Sequence, residues 1–145
     1  MVVASPTATF GLPEALRGIY AAAGGLPRLI RNVGLPVASE IALTGRFLSA
    51  KEALQYQLIN KISSSPESVV DEAVKLAEKV GDISPDAAIV TRAGLREAWE
   101  TSSVERATQL THERFHGPLM AGENGKEGLS AFAEKRKPVW KASKL

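Results

Sequence analysis

Apolar residues recur at three- and four-residue intervals mainly in the second half of the chain, and that change of period divides the sequence. Val69, Val70, Ala73, Val74, Ala77 and Val80 make one helical stripe, with Ser65 as cap, Pro66 as first residue and Gly81 as stop. Ser84-Pro85 repeats the start signal before Ala88, Ile89, Ala93 and Trp99. The spacing Ser102-x-x-Glu105 predicts a capping box for a third helix, which Gly117-Pro118 is expected to end. A fourth helix is expected over Glu123–Lys135, where Leu129 and Phe132 share a face.

The first half reads differently. Val2–Phe10 is expected to be extended, since Val3, Thr7 and Thr9 favour a strand and Pro6 argues against a central one. From Gly11 to Gly25 small residues dominate, so backbone and ligand can approach closely. A short helix is predicted over Pro36–Leu43, stopping near Thr44-Gly45, and Ser49 caps another that carries Glu52 and Ala53. Leu58–Ile62 reads as a short strand. The pattern predicts an α/β fold in two parts, residues 1–62 with strands and tight loops and residues 63–145 as a helical module.

Composition narrows the classes. A chain of 145 residues with 44% hydrophobic and 23% charged positions is globular and of single-domain size. The lack of cysteine excludes disulfides and Cys-ligated zinc or iron–sulfur centres. Aromatic content of 6% is thin for a stacking nucleic-acid binder, and no apolar run approaches the ~20 residues of a membrane span. Met1–Pro6 has neither a basic leader nor a long apolar core, so no secretory signal is expected. The net charge of +2 is uneven: residues 126–145 carry six basic and two acidic groups, a local patch suited to an anionic small molecule or an acidic partner.

Three local signals bear on chemistry. His112-Glu113-Arg114-Phe115-His116 fits H-E-x-x-H, which on a helix could hold zinc with Glu113 as base. Arg114 inside the motif opposes a cation, and no third histidine follows, so an exposed helix end is the better reading and no metal is expected. Glu14 follows Phe10-Gly11-Leu12-Pro13 and precedes the Gly/Ala stretch; apolar company is expected to desolvate it partly and suit it to proton transfer. A loop carboxylate is the bland alternative. Ser143-Lys144-Leu145 matches the peroxisomal import address, so an import receptor is an expected partner and the peroxisome the expected compartment.

With these residues in view, the chain resembles the enoyl-CoA hydratase/isomerase (crotonase) superfamily. The resemblance runs from Val3 to Trp140 and rests on ordered segments: Ala8–Glu14, Gly18-Ile19, Ala23–Leu29, Leu43–Arg46, Ser49–Ala53, Leu58–Asn60 and Glu127–Arg136. The last of these, with Pro138-Val139-Trp140, is most similar to hydratases and dehydratases of the carnitinyl-CoA type. The resemblance implies part of a ββα-spiral in residues 1–62 and a helical trimerisation module in 63–145, assembled as trimers or hexamers. It implies an acyl-CoA thioester substrate, an enolate held by two backbone N–H groups, and no cofactor apart from the CoA moiety of the substrate. Hydration, dehydration and double-bond isomerisation of an enoyl-CoA, in fatty-acid β-oxidation or a related peroxisomal pathway, all stay open.

By the same resemblance Glu14 takes the place of the acid/base glutamate, and Phe132 and Lys135 match positions that contact CoA, often across a subunit boundary. Three departures follow. The segments that supply the oxyanion-hole amides are expected to lie outside this sequence, and each such donor is worth about 3–4 kcal/mol. A non-catalytic binding or assembly module is therefore the alternative. Ala22 stands where a glycine helps to position water, and Gln57 where a glycine follows the short helix.

Overall fold

The computed structural model describes all 145 residues, which form two compact units, Met1–Leu76 and Ala77–Leu145. In the first unit the expected N-terminal strand is two short ones, β1 (Val3–Ala4) and β2 (Thr9–Phe10). The turn between them, closed by the Ala8 N–H on the Ser5 carbonyl at 3.0 Å, accommodates Pro6. A 3₁₀ turn over Pro13–Arg17 follows, then helix α1 (Gly25–Thr44), β3 (Leu48–Ser49), α2 (Ala50–Gln55) and β4 (Lys61–Ile62). β1 pairs in parallel with β4, Val3 opposite Lys61, while β2 runs antiparallel to β3, Thr9 opposite Ser49.

Helix α1 contains the Pro36–Leu43 segment expected from sequence and a stretch before it that patterning did not reveal. Gly34, at φ 76° and ψ 167°, breaks the helix and lets Pro36 open its second half. That second half brings Ala38 and Ile41 against Leu29 and Leu48, with Phe10 and Leu12 at the edge of the cluster. Ala4, Ala53 and Ile59 form a second buried group. The capping box of α2 is present: the Ser49 hydroxyl accepts from the Glu52 N–H, and the Glu52 carboxylate accepts from the Ser49 N–H. Gln57 follows at φ 59°, a left-handed position that favours glycine.

Helix α3 (Val69–Gly81) starts later than the Ser65-Pro66 signal suggests. Ser65 and Ser68 exchange backbone-to-hydroxyl bonds of 3.0 and 3.2 Å, and this turn uses up the residues expected to begin the helix. Glu72 then accepts from the Ser64 N–H and the Ser68 hydroxyl and pairs with Lys61. These bonds tie the start of α3 to β4, which is why the first compact unit runs beyond residue 62.

In the second unit α4 (Pro85–Thr101) packs on α5 (Val104–Thr111) and on α7 (Glu123–Ala133), with α6 (Gly117–Ala121) between. Ser84 caps α4 as expected. The third helix is capped by Ser103 and not by Ser102, because Ser102 takes the left-handed position that ends α4. Nor does Gly117-Pro118 end it. His112–His116 form a wide π-helical turn, and this relieves the clash that Pro118 causes in a regular helix, so the chain stays helical to Ala121. Only alanines, Ala107 and Ala131, are fully buried apolar residues here; the buried remainder is polar, Ser84, Asp86 and Asn124. Asn124 donates to Asp86 and to the Lys141 carbonyl, both at 3.0 Å, and accepts the Lys141 N–H at 2.8 Å. That knot straps the chain end to the helices.

Candidate active site

Glu14 lies in the first turn of the 3₁₀ segment, where Pro13 presets the backbone and Gly18 closes it in the left-handed region. The residue is half-buried, and its Oε2 is shielded from solvent with no hydrogen-bond partner. Buried polar atoms are nearly always satisfied, and this oxygen shares its unpartnered state with Asp86 Oδ1 in the second unit. The Ile19 N–H donates to the Glu14 carbonyl at 3.3 Å and folds the following loop back on the turn.

That loop, residues 18–24, is exposed at Ala22 and ends at Gly24, where the Arg28 guanidinium donates 2.9 Å to the Gly24 carbonyl. Beyond it lies a cavity of about 440 Å³, walled by Phe10, Gly11, Leu12, Gly25, Arg28 and Asn32 among others. Glu14 is not in its wall; Leu12, two residues before it, is. Arg28 lies in the Ala23–Leu29 segment of the resemblance, but neither it nor Asn32 was given a role there; polar residues four apart on a helix that also buries Leu29 were the available signal.

In the second unit Phe132 is 86% exposed on α7. Lys135 closes the same helix at φ 56°, its N–H on the Phe132 carbonyl and the Arg136 N–H on that of Ala131, a Schellman arrangement with lysine in the usual glycine place. The basic tail is largely matched. Arg136 grips Glu127 bidentately at 2.6 and 3.0 Å and also meets Glu134. Lys141 and Lys144 both meet Glu123, whereas Lys126, Lys135 and Lys137 have no acidic partner. The paired cations hold Glu123 and Glu127 down to about 2, helped at Glu127 by the Val139 N–H. The motif Glu127–Arg136 thus has a visible structural task, folding the tail back on α7.

The His112 and His116 rings stack at 4.3 Å and 19°. In-plane lone pairs of near-parallel rings run side by side and do not converge on one ion, and Glu113 accepts from Gln109 at 2.8 Å. The pair stands within a continuing helical path, not at the helix end expected from sequence. At the other signal, Ser143-Lys144-Leu145, the Lys144 ammonium meets Glu123, and the Leu145 N–H donates to the Ser143 hydroxyl at 3.1 Å.

With this geometry in place, comparison with known proteins is informative. The family model for enoyl-CoA hydratase/isomerase matches residues 1–143. A mevalonyl-coenzyme A hydratase of Beauveria bassiana is 49% identical over 145 residues, which is all of this chain and 52% of the relative. The carnitinyl-CoA dehydratase of Proteus mirabilis is 33% identical over 147 residues, 97% of this chain and 54% of that protein. An enoyl-CoA hydratase crystal structure from Geobacillus kaustophilus superimposes with a TM-score of 0.91 at 34% identity, covering 99% of this chain and 55% of that one. The chain spans about half the length of the curated relatives it matches.

Proposed function

The chain belongs to the enoyl-CoA hydratase/isomerase family and has part of the crotonase fold, and on that premise we propose that it serves the hydration or dehydration of an acyl-CoA thioester with Glu14 moving the proton. The observation that carries this reading is the Glu14 Oε2, shielded from water and without a partner. Hydration joins the oxygen of water to C3 of the enoyl thioester and a proton to C2. Glu14 carries one proton between water and substrate, and the reverse reaction returns it. The 49% identity to a mevalonyl-coenzyme A hydratase favours, as substrate, a short, methyl-branched thioester with a hydroxyl on C3 and another at the far end.

Phe132 and Lys135 are assigned to CoA. An exposed aromatic ring beside lysines without acidic partners suits an adenine and its phosphates. Assembly with further copies, as trimer or hexamer, is part of the proposal. It is favoured by α3, which buries none of its residues and leaves Val70 and Val74 exposed. That same face supports the second reading, a non-catalytic assembly module. The tripeptide Ser143-Lys144-Leu145 is assigned to a peroxisomal import receptor.

The test is turnover of crotonyl-CoA, a 3-enoyl-CoA and mevalonyl-CoA by the purified chain. Glu14→Gln is expected to lower the rate by about 10²-fold or more while the fold persists. Equal rates for Glu14→Gln and the parent chain would falsify the catalytic assignment, and CoA binding without turnover selects the assembly module.

A further inference from the structure

We propose that Glu123 latches the import address, so that a receptor reads Ser143-Lys144-Leu145 only in molecules whose chain end has left helix α7. The inference rests on the reading above, in which this tripeptide is the peroxisomal address.

Chain ends fray unless something ties them down, and this one is tied at intervals from Arg136 onward. The Val139 N–H donates to Glu127 at 2.8 Å, and the Trp140 indole N–H donates to the Asp82 carbonyl at 2.9 Å. Lys141 gives its N–H to the Asn124 side chain and receives a hydrogen bond from that side chain on its carbonyl. Those bonds stop short of the address. Glu123 carries the strap into it: one carboxylate oxygen meets the Lys141 ammonium and the other the Lys144 ammonium, each at 2.5 Å. The anchor is firm, because Glu123 opens α7 directly beside the buried Asn124.

The neighbours of Lys144 are held as well. Ser143 is half-buried, and its hydroxyl accepts the Leu145 N–H at 3.1 Å, which turns the last residues back on themselves. Lys144 and Leu145 close a cavity of about 90 Å³ whose other walls include Asp86, Pro118, Gly122 and Asn124. Leu145 keeps only 40% of its surface exposed.

A receptor that reads three terminal residues has to reach their side chains, and the Lys144 ammonium cannot serve Glu123 and a receptor at once. The two states exclude each other, so the affinity of the chain is cut to the fraction of molecules whose end is free. The latch can open, since the paired side chains are 80% and 47% exposed and an exposed ion pair shifts an equilibrium by no more than about fivefold.

The experiment uses a labelled peptide of residues 137–145 as tracer on the purified import receptor. The unlabelled peptide, the full chain and the full chain carrying Glu123→Gln compete for it, with circular dichroism as the folding control. The peptide is expected to compete about tenfold better than the parent chain, and Glu123→Gln about fivefold better. Carboxypeptidase gives a readout without the receptor: it should release Leu145 more slowly from the parent chain than from the peptide or from Glu123→Gln. A parent chain that competes and is digested like the peptide, or a Glu123→Gln chain that behaves like the parent, overturns the latch and leaves the address standing. A peptide that does not itself bind the receptor removes address and latch together.

Discussion

Leu16 lies across Gly45: a Cβ added to Gly45 would stand 2.7 Å from both Cγ and Cδ1 of Leu16. Gly45 ends α1 at φ 63°, and Leu16 belongs to the turn that carries Glu14, so this contact ties that turn to the end of the longest helix. Gly45→Ala is expected to lose about 2 kcal/mol, combining left-handed strain with the displaced leucine. Denaturant unfolding measures the loss. The double variant Gly45→Ala, Leu16→Ala should recover the steric part and keep the torsional part.

Gln57 sits at φ 59° just after α2, exposed and without a role in the site. Gln57→Gly is expected to stabilise the chain by about 1 kcal/mol, since relief of left-handed strain exceeds the extra entropy of glycine when unfolded. The denaturation midpoint should rise with the slope unchanged.

Asn124→Ala removes three hydrogen bonds at once and strips the 4%-exposed Asp86 of its amide partner. A loss of about 3 kcal/mol is expected. The segment after Arg136 should also become the first site of proteolytic cleavage; an unchanged cleavage pattern would show that the strap is held by other contacts.

Acid should weaken the fold through Glu72, Glu123 and Glu127, which the surrounding cations and N–H groups hold at about 2 against the usual 4.5. Folded values below unfolded ones mean that the stabilisation is complete above about 4.5 and disappears as pH falls towards about 2. Urea midpoints across that range check the sign. Glu127→Gln, which removes one of the three groups, should show a shallower decline.

A fluorescent fusion ending in Ser143-Lys144-Leu145 is expected to enter peroxisomes, and the same fusion without these residues to stay outside. A Lys144→Glu fusion that still enters would remove the assigned address.

The helical half was legible where single residues act locally: Ser84 caps α4 and the apolar stripe marks α3. It was illegible where distant residues decide. The π-helical turn that carries the chain through Gly117-Pro118 has no four-letter signature, and Ser102 was taken by the end of α4 before it could cap α5. In the first half, the strand signal around Val3 was right in kind but too long, because pairing with Lys61 and Ile62 fixes which residues count as strand. The surroundings of Glu14 were readable as apolar, but the separation of its carboxylate from any donor needed coordinates. Asn124 and Asp86 went unnoticed because their bond spans 38 residues.

Gly34 has open space around it, with nothing within 4 Å of an added Cβ, yet its torsions of 76° and 167° lie where an L-residue is strained. The restriction there is one of handedness and not of room. For a mirror-image residue the same torsions fall in the ordinary extended basin. Chemical synthesis could therefore place D-alanine at the joint of α1 and stiffen it, whereas every coded replacement of that glycine must bend the helix another way.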